Sequence, residues 1–214
     1  MTIEATLPPT LESLSALRRF ARSSPAGEHC DLCGAALDPV HPHLLERNVR
    51  RIVCGCEACS ILFSDQEHGR FLRIPRRARS VSDFSFTDLE WEALTIPINL
   101  AFFFRDSAGG INALYPSPAG AIQSQLPMTA LVDRFTSVPE LQAMKPEVEA
   151  LLVNRIGATH KYLIVPIDEC FRLVGLIRGH WRGLSGGKEV WSAVTEFFGQ
   201  LERNAAGQNK DSHA

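Results

Sequence analysis

Cys30-Asp31-Leu32-Cys33-Gly34 and Cys54-Gly55-Cys56-Glu57-Ala58-Cys59 are the stretches of this 214-residue chain on which its reading turns. Two Cys-x-x-Cys pairs facing one another supply four thiolates at tetrahedral angles, the closed donor set that zinc takes in structural sites. The intervening residues 34–55 slightly exceed the roughly 15 to 20 residues usual between such pairs. A hairpin from Leu44 to Val53 accounts for the excess, because it returns the chain to its starting point. Gly34 lets the backbone turn so that amides point at the sulfurs, whereas Ser60 follows Cys59 and leaves the second knuckle less ideal. The metal ligands expected are therefore Cys30, Cys33, Cys56 and Cys59. Cys54 offers a third thiol for two places: it can substitute for Cys56, exchange with it, or stay free. His29, His41 and His43 are near in sequence, and we assign them to the surface because four cysteines complete a site.

Iron is the alternative metal. The first knuckle resembles that of rubredoxins, which hold one iron in the same two-knuckle geometry. The second departs from it, since Glu57 and Ser60 stand where rubredoxins place proline and glycine. Zinc is thus the expected cofactor and iron the rival.

Outward from the cysteines the chain divides into four parts. Residues 1–27 read as an amphipathic helix and linker. Thr10 caps it after Pro8-Pro9, and Leu11, Leu14, Leu17 and Phe20 form one stripe. Residues 28–81 form a small zinc-ribbon or rubredoxin-like module with hairpin arms 44–47 and 51–54 and strands at 60–63 and 71–74. It has no long apolar run, and a metal supplies what its core lacks. Residues 82–204 read as a larger α+β domain. It has a Thr87/Glu90 capping box, strands over 98–104 and 111–115, and a rigid 115–120 loop. Two or three helices between Met128 and Arg155, a strand over 161–165, and helices over 168–177 and 188–203 complete it. Residues 205–214 are small and polar, and a disordered tail is expected.

Composition narrows the function classes. Six cysteines, five of them within thirty residues, suit a metal site in a reducing cytoplasm better than a disulfide framework. No basic region followed by an apolar run opens the chain, and the apolar stretch 96–104 is broken by Pro97 and Asn99. It falls short of the roughly 20 residues a membrane helix needs. A cytoplasmic protein without a membrane partner is expected. The net charge is −2, so the chain as a whole has no footprint for nucleic acid. A local strip, Arg70, Arg73, Arg76, Arg77 and Arg79, is read as a solvated strand face. A nucleic-acid-binding ribbon is a third-ranked alternative.

Two other segments carry chemistry-bearing residues. Asp168-Glu169-Cys170 is read as a helix N-terminus with a packed thiol. Residues 178–188 gather Arg178, His180, Trp181 and Arg182 in a glycine-rich loop before a helix. Tryptophan and arginine often dominate interfaces, so these four residues are the candidate partner-binding surface. The loop is no phosphate loop, because Glu189 follows Lys188. No Ser-His-Asp signature is present, and no catalytic residue is expected.

Several phrases together resemble an uncharacterised bacterial family encoded beside the subunits of high-affinity nickel-iron hydrogenases. They are the two cysteine stretches with Leu62-Phe63, Tyr115-Pro116-Ser117-Pro118-Ala119-Gly120, Glu149 to Arg155, Val165-Pro166-Ile167-Asp168, Leu173 to Arg178, and Trp181 to Gly187. The resemblance implies an accessory role in hydrogenase production or assembly, with a hydrogenase subunit or maturation factor as partner. It supplies no enzymatic activity.

Overall fold

The computed structural model describes residues 27–64, 69–124, 129–158, 160–183 and 185–211. The amphipathic helix expected within residues 1–27 lies outside them.

A hairpin opens the described chain. Strand β1 (His43–Glu46) pairs antiparallel with β2 (Arg51–Cys54), and β3 (Phe71–Arg73) adds to the other edge of β1, giving the order β2-β1-β3. Between β2 and β3 lies helix α1 (Glu57–Ser64). A strand was expected at 60–63. The apolar run Ile61-Leu62-Phe63 instead stays exposed on one turn of this helix, with Ser60 and Cys59 buried. The backbone N–H of Ser60 donates to the Cys56 carbonyl at 2.9 Å, and that helical bond commits the segment.

The alternating side chains of β1 serve two cores. Leu44 packs with Val53 and Phe71, with Leu32 against them. Leu45 instead joins the main core, flanked by Ile52 and Leu72, its partners in register.

The larger sheet is antiparallel, in the order β4-β9-β8-β5-β6-β7. Its strands are β4 (Arg79–Ser80), β5 (Leu100–Arg105), β6 (Ile111–Ser117), β7 (Gly120–Gln123), β8 (Glu149–Asn154) and β9 (Lys161–Pro166). Helices α2 (Asp88–Ala93), α3 (Thr129–Ser137) and α4 (Pro139–Gln142) precede β8 or interrupt the strands, and α5 (Ile167–His180) and α6 (Gly187–Asp211) close the chain. Both faces of the sheet are covered. Leu100, Phe102, Leu152 and Val165 face α5 and α6, while Ala101, Phe103, Val153 and Ile164 face Phe86, Trp91, Phe135 and Leu141.

That two-sided burial explains a difference from the sequence reading, which carried helices through to Arg155. Residues 149–154 form β8, buried along its whole length. A central strand of this kind reads as a continuous apolar run, which periodicity cannot separate from a buried helix. Likewise Tyr115, Pro116 and Ser117 of the expected loop belong to β6, paired with β7. Of the disordered tail expected over 205–214, residues 205–211 instead have helical backbone, with Ala205 buried in the main core, and 212–214 lie outside the described residues. The Thr87/Glu90 capping box forms as read, at the start of α2. Among the described residues no helix is long and apolar enough to cross a membrane.

Candidate metal centre

The first knuckle is a tight turn. Gly34 N–H donates to the Cys30 carbonyl and Cys30 N–H to the Ala35 carbonyl, each at 2.8 Å. Gly34 sits at φ 76°, a conformation open to glycine at no steric cost. Asp31, inside the knuckle, grips the end of the hairpin: its carboxylate accepts the Cys54 N–H at 2.7 Å, and its own N–H donates to the Cys54 carbonyl at 2.8 Å. Gly55 then passes close to β1, where a Cβ would stand 3.3 Å from the Leu44 side chain.

The second pair is built differently. Cys56 immediately precedes α1 and Cys59 lies in its first turn, where the Cys59 N–H points at the Cys56 sulfur at 3.4 Å. A helix N-terminus favours thiolate over thiol. The knuckle, the hairpin and the helix start bring Cys30, Cys33, Cys56 and Cys59 together, with all four sulfurs within 4.8 Å of one another. Cys33 and Cys56 sulfurs are 3.7 Å apart. Tetrahedral coordination at metal–sulfur distances of ~2.3 Å requires about 3.8 Å between sulfurs, so the set fits one ion. None of the six cysteines is in a disulfide.

The electrostatics of Cys30 and Cys59 point the same way. Burial works against ionisation of Cys30, yet the amides of Cys56, Leu32 and Cys33 draw its thiol down to about 6. Burial and the adjacent thiols push Cys59 up to about 12. The protein thus prepares one thiolate and crowds the others against it, and a bound cation removes that conflict.

Cys54 does not join this set. It lies opposite His43 in the β1–β2 register, and one ligand atom from each of His41, His43 and Cys54 falls within 4.8 Å of the others. The two histidines are therefore no free surface groups: the His41 side chain is 6% exposed and that of His43 33%. His29 stays apart and bonds the Gly27 carbonyl.

A family model matches residues 29–205, and it describes a family of unknown function, DUF5947. The chain belongs to the DUF5947 family. No curated protein and no solved structure matches it. The DUF5947 match runs from the residue before Cys30 to Ala205, so it takes in the four-cysteine cluster and Ala205, which α6 buries in the main core.

The remaining candidates of this DUF5947 chain are placed as follows. In the basic strip, Arg70 and Arg51 clamp the buried Glu46 from two sides, holding its carboxyl below the usual range. Arg73 pairs with Glu57 and Arg79 with the buried Glu149. Arg76 and Arg77 line a cleft with Lys145 and Glu149. Arg178 and His180 end α5, exposed, and Arg182 is exposed beyond them. Trp181 is half-buried, set edge-on to Trp191 at 5.9 Å, and its indole N–H donates to the Gly183 carbonyl at 2.9 Å. Gly186 packs against it: a Cβ there would stand 3.1 Å from the indole. Cys170 is fully buried in the main core, and that burial raises its thiol pKa.

Proposed function

We propose that this chain is a non-enzymatic accessory protein. In this reading a structural zinc ion in the four-thiolate site fixes the hairpin module against an α+β domain that binds a protein partner. The observation that carries it is the closed donor set. Four sulfurs at tetrahedral spacing leave no position for a substrate, which is the arrangement of structural sites. The partner is a subunit or maturation factor of a nickel-iron hydrogenase, an assignment supported by the sequence phrases alone. The docking surface is the turn of Arg178, His180, Trp181 and Arg182. Trp181 has an exposed margin there and its three polar neighbours face solvent.

Cys33 favours one rival. Cys33 is exposed, and an exposed ligand residue is a route for electrons if the ion is iron. Nucleic acid is disfavoured, because Arg70, Arg73 and Arg79 already pair with carboxylates of the chain that a phosphate would have to displace.

Elemental analysis of protein purified without added metal separates the two metals: the zinc reading expects a colourless protein with zinc in the four-sulfur site, and red, redox-active iron overturns it. The docking surface is tested by pull-down from cells expressing the hydrogenase. A folded Trp181→Ala, Arg182→Ala variant is expected to lose the hydrogenase partner. Recovery of the same partner at equal yield makes the turn purely structural.

A further inference from the structure

We propose that His41, His43 and Cys54 form a second metal site, separate from the four cysteines, for one divalent ion of the zinc class with a fourth position reachable from a cleft. Three observations converge on it.

The first is placement. His43 and Cys54 are register partners on neighbouring strands, so their side chains emerge on the same side of the hairpin. His41 lies just before β1, and its imidazole ring meets that of His43 edge to face with centroids 4.9 Å apart. One donor atom from each of the three residues lies within 4.8 Å of the others.

The second is the state of the imidazoles. The His41 Nδ1 is 2.9 Å from the Asp38 carbonyl oxygen. A carbonyl only accepts, so Nδ1 carries the proton and the lone pair is left on Nε2. That Nε2 is buried and has no hydrogen-bond partner among the described residues. A buried polar atom without a partner is costly, and a metal ion supplies what this one lacks. His43 repeats the pattern: its Nδ1 is 2.7 Å from an Asp168 carboxylate oxygen, which again leaves Nε2 as the donor. Asp168 is itself fixed at the start of α5, where its other oxygen accepts the Glu169 N–H at 2.9 Å. A histidine that donates one nitrogen to a carboxylate or carbonyl and offers the other to a metal is the usual second-layer arrangement of metal sites.

The third is access. His41, His43 and Asp168 line a cleft of about 380 Å³ that also takes in Glu169, Arg76 and Arg172. Two imidazoles and one thiolate are a borderline donor set suited to zinc and its neighbours. Three protein ligands leave a fourth position for water or an anionic group from the cleft, which the four-cysteine site does not offer.

Cobalt(II) titration of the reduced, chelator-stripped full chain tests the proposal, because cobalt reports the number of bound ions and the count of sulfur ligands separately. Wild type is expected to take two equivalents. Cys54→Ser, His41→Ala and His43→Gln should each take one and keep the intense sulfur charge-transfer band of the four-cysteine site; His43→Gln retains a donor for Asp168 and so guards against simple misfolding. Cys33→Ser should weaken that band and leave the second ion in place. Asp168→Asn should lower affinity for the second ion about 10- to 100-fold while sparing the first. Saturation of wild type at one equivalent overturns the site. So does two-equivalent binding by folded Cys54→Ser and His41→Ala, or loss of the four-sulfur band in Cys54→Ser, which would return Cys54 to the first cluster.

Discussion

The three-stranded module and the six-stranded sheet reach stability by different routes. The sheet buries aromatic and aliphatic side chains on both faces, among them Phe102 towards α5 and α6 and Phe103 towards Trp91 and Phe135. The module closes over Leu44, Val53 and Phe71, and its other buried groups include the Cys30 and Cys59 sulfurs, the Ser60 hydroxyl and the clamped Glu46 carboxylate. A core of three side chains does not offset the conformational entropy of residues 27–64, whereas a core that spans both faces of a sheet needs no ion. The module also leans on its larger neighbour through Leu45, Ile74 and the His43–Asp168 bond.

Metal removal should break this contrast with the largest effect. Structural zinc contributes on the order of 10 kcal/mol to small modules, more than the module's own core can replace. Limited proteolysis of the stripped chain is expected to cut within residues 28–64 and leave a resistant fragment that keeps β4 and the rest of the six-stranded sheet. Equal resistance with and without metal would show that the module holds by packing alone. The converse experiment is Phe102→Ala, which leaves a cavity between the sheet and α5. It should cost about 3–5 kcal/mol by denaturant unfolding without changing metal content. Loss of metal in that variant would mean the two regions fold as one unit.

The smallest effect sharpens the comparison at a point far from any cysteine. At the start of α2 the Thr87 amide, first of all, and then Arg134 hold the Glu90 carboxyl below its ordinary range, against the opposing effect of burial. A lowered native pKa contributes stability above the unfolded value of ~4.3, and that stability is lost as pH falls through the native value. Glu90→Ala should therefore cost roughly 0.5–1 kcal/mol near neutral pH. The gap to wild type should narrow in acid, and urea titrations at the two pH values measure it. A constant gap would assign the loss to helix propensity and not to charge.

What the sequence discloses follows how local each signal is. The four cysteines and the capping box are legible because their partners sit three residues apart, a spacing fixed by one turn of chain. The helix at Ile61-Leu62-Phe63 was hidden by apolar residues that turn out to face solvent. The strand β8 was hidden by burial on both sides. The His41–His43–Cys54 cluster was the least legible. It depends on the register of the hairpin and on Asp168, which lies 125 residues from His43. A His-x-His pattern leading into a strand, with a cysteine returning opposite it, was the available signal.

The adjacent leucines of β1 have one more consequence. Leu44 belongs to one core and Leu45 to the other, and His43 shares the side of Leu45. A slip of β1 by a single residue would exchange the two leucines and swing His43 away from Asp168 in the same movement. The hairpin therefore has no half-right alignment. Mispairing forfeits both cores at once, which makes the 47–50 turn, with Arg50 held at φ 50°, the place where an inserted or deleted residue would be least tolerated.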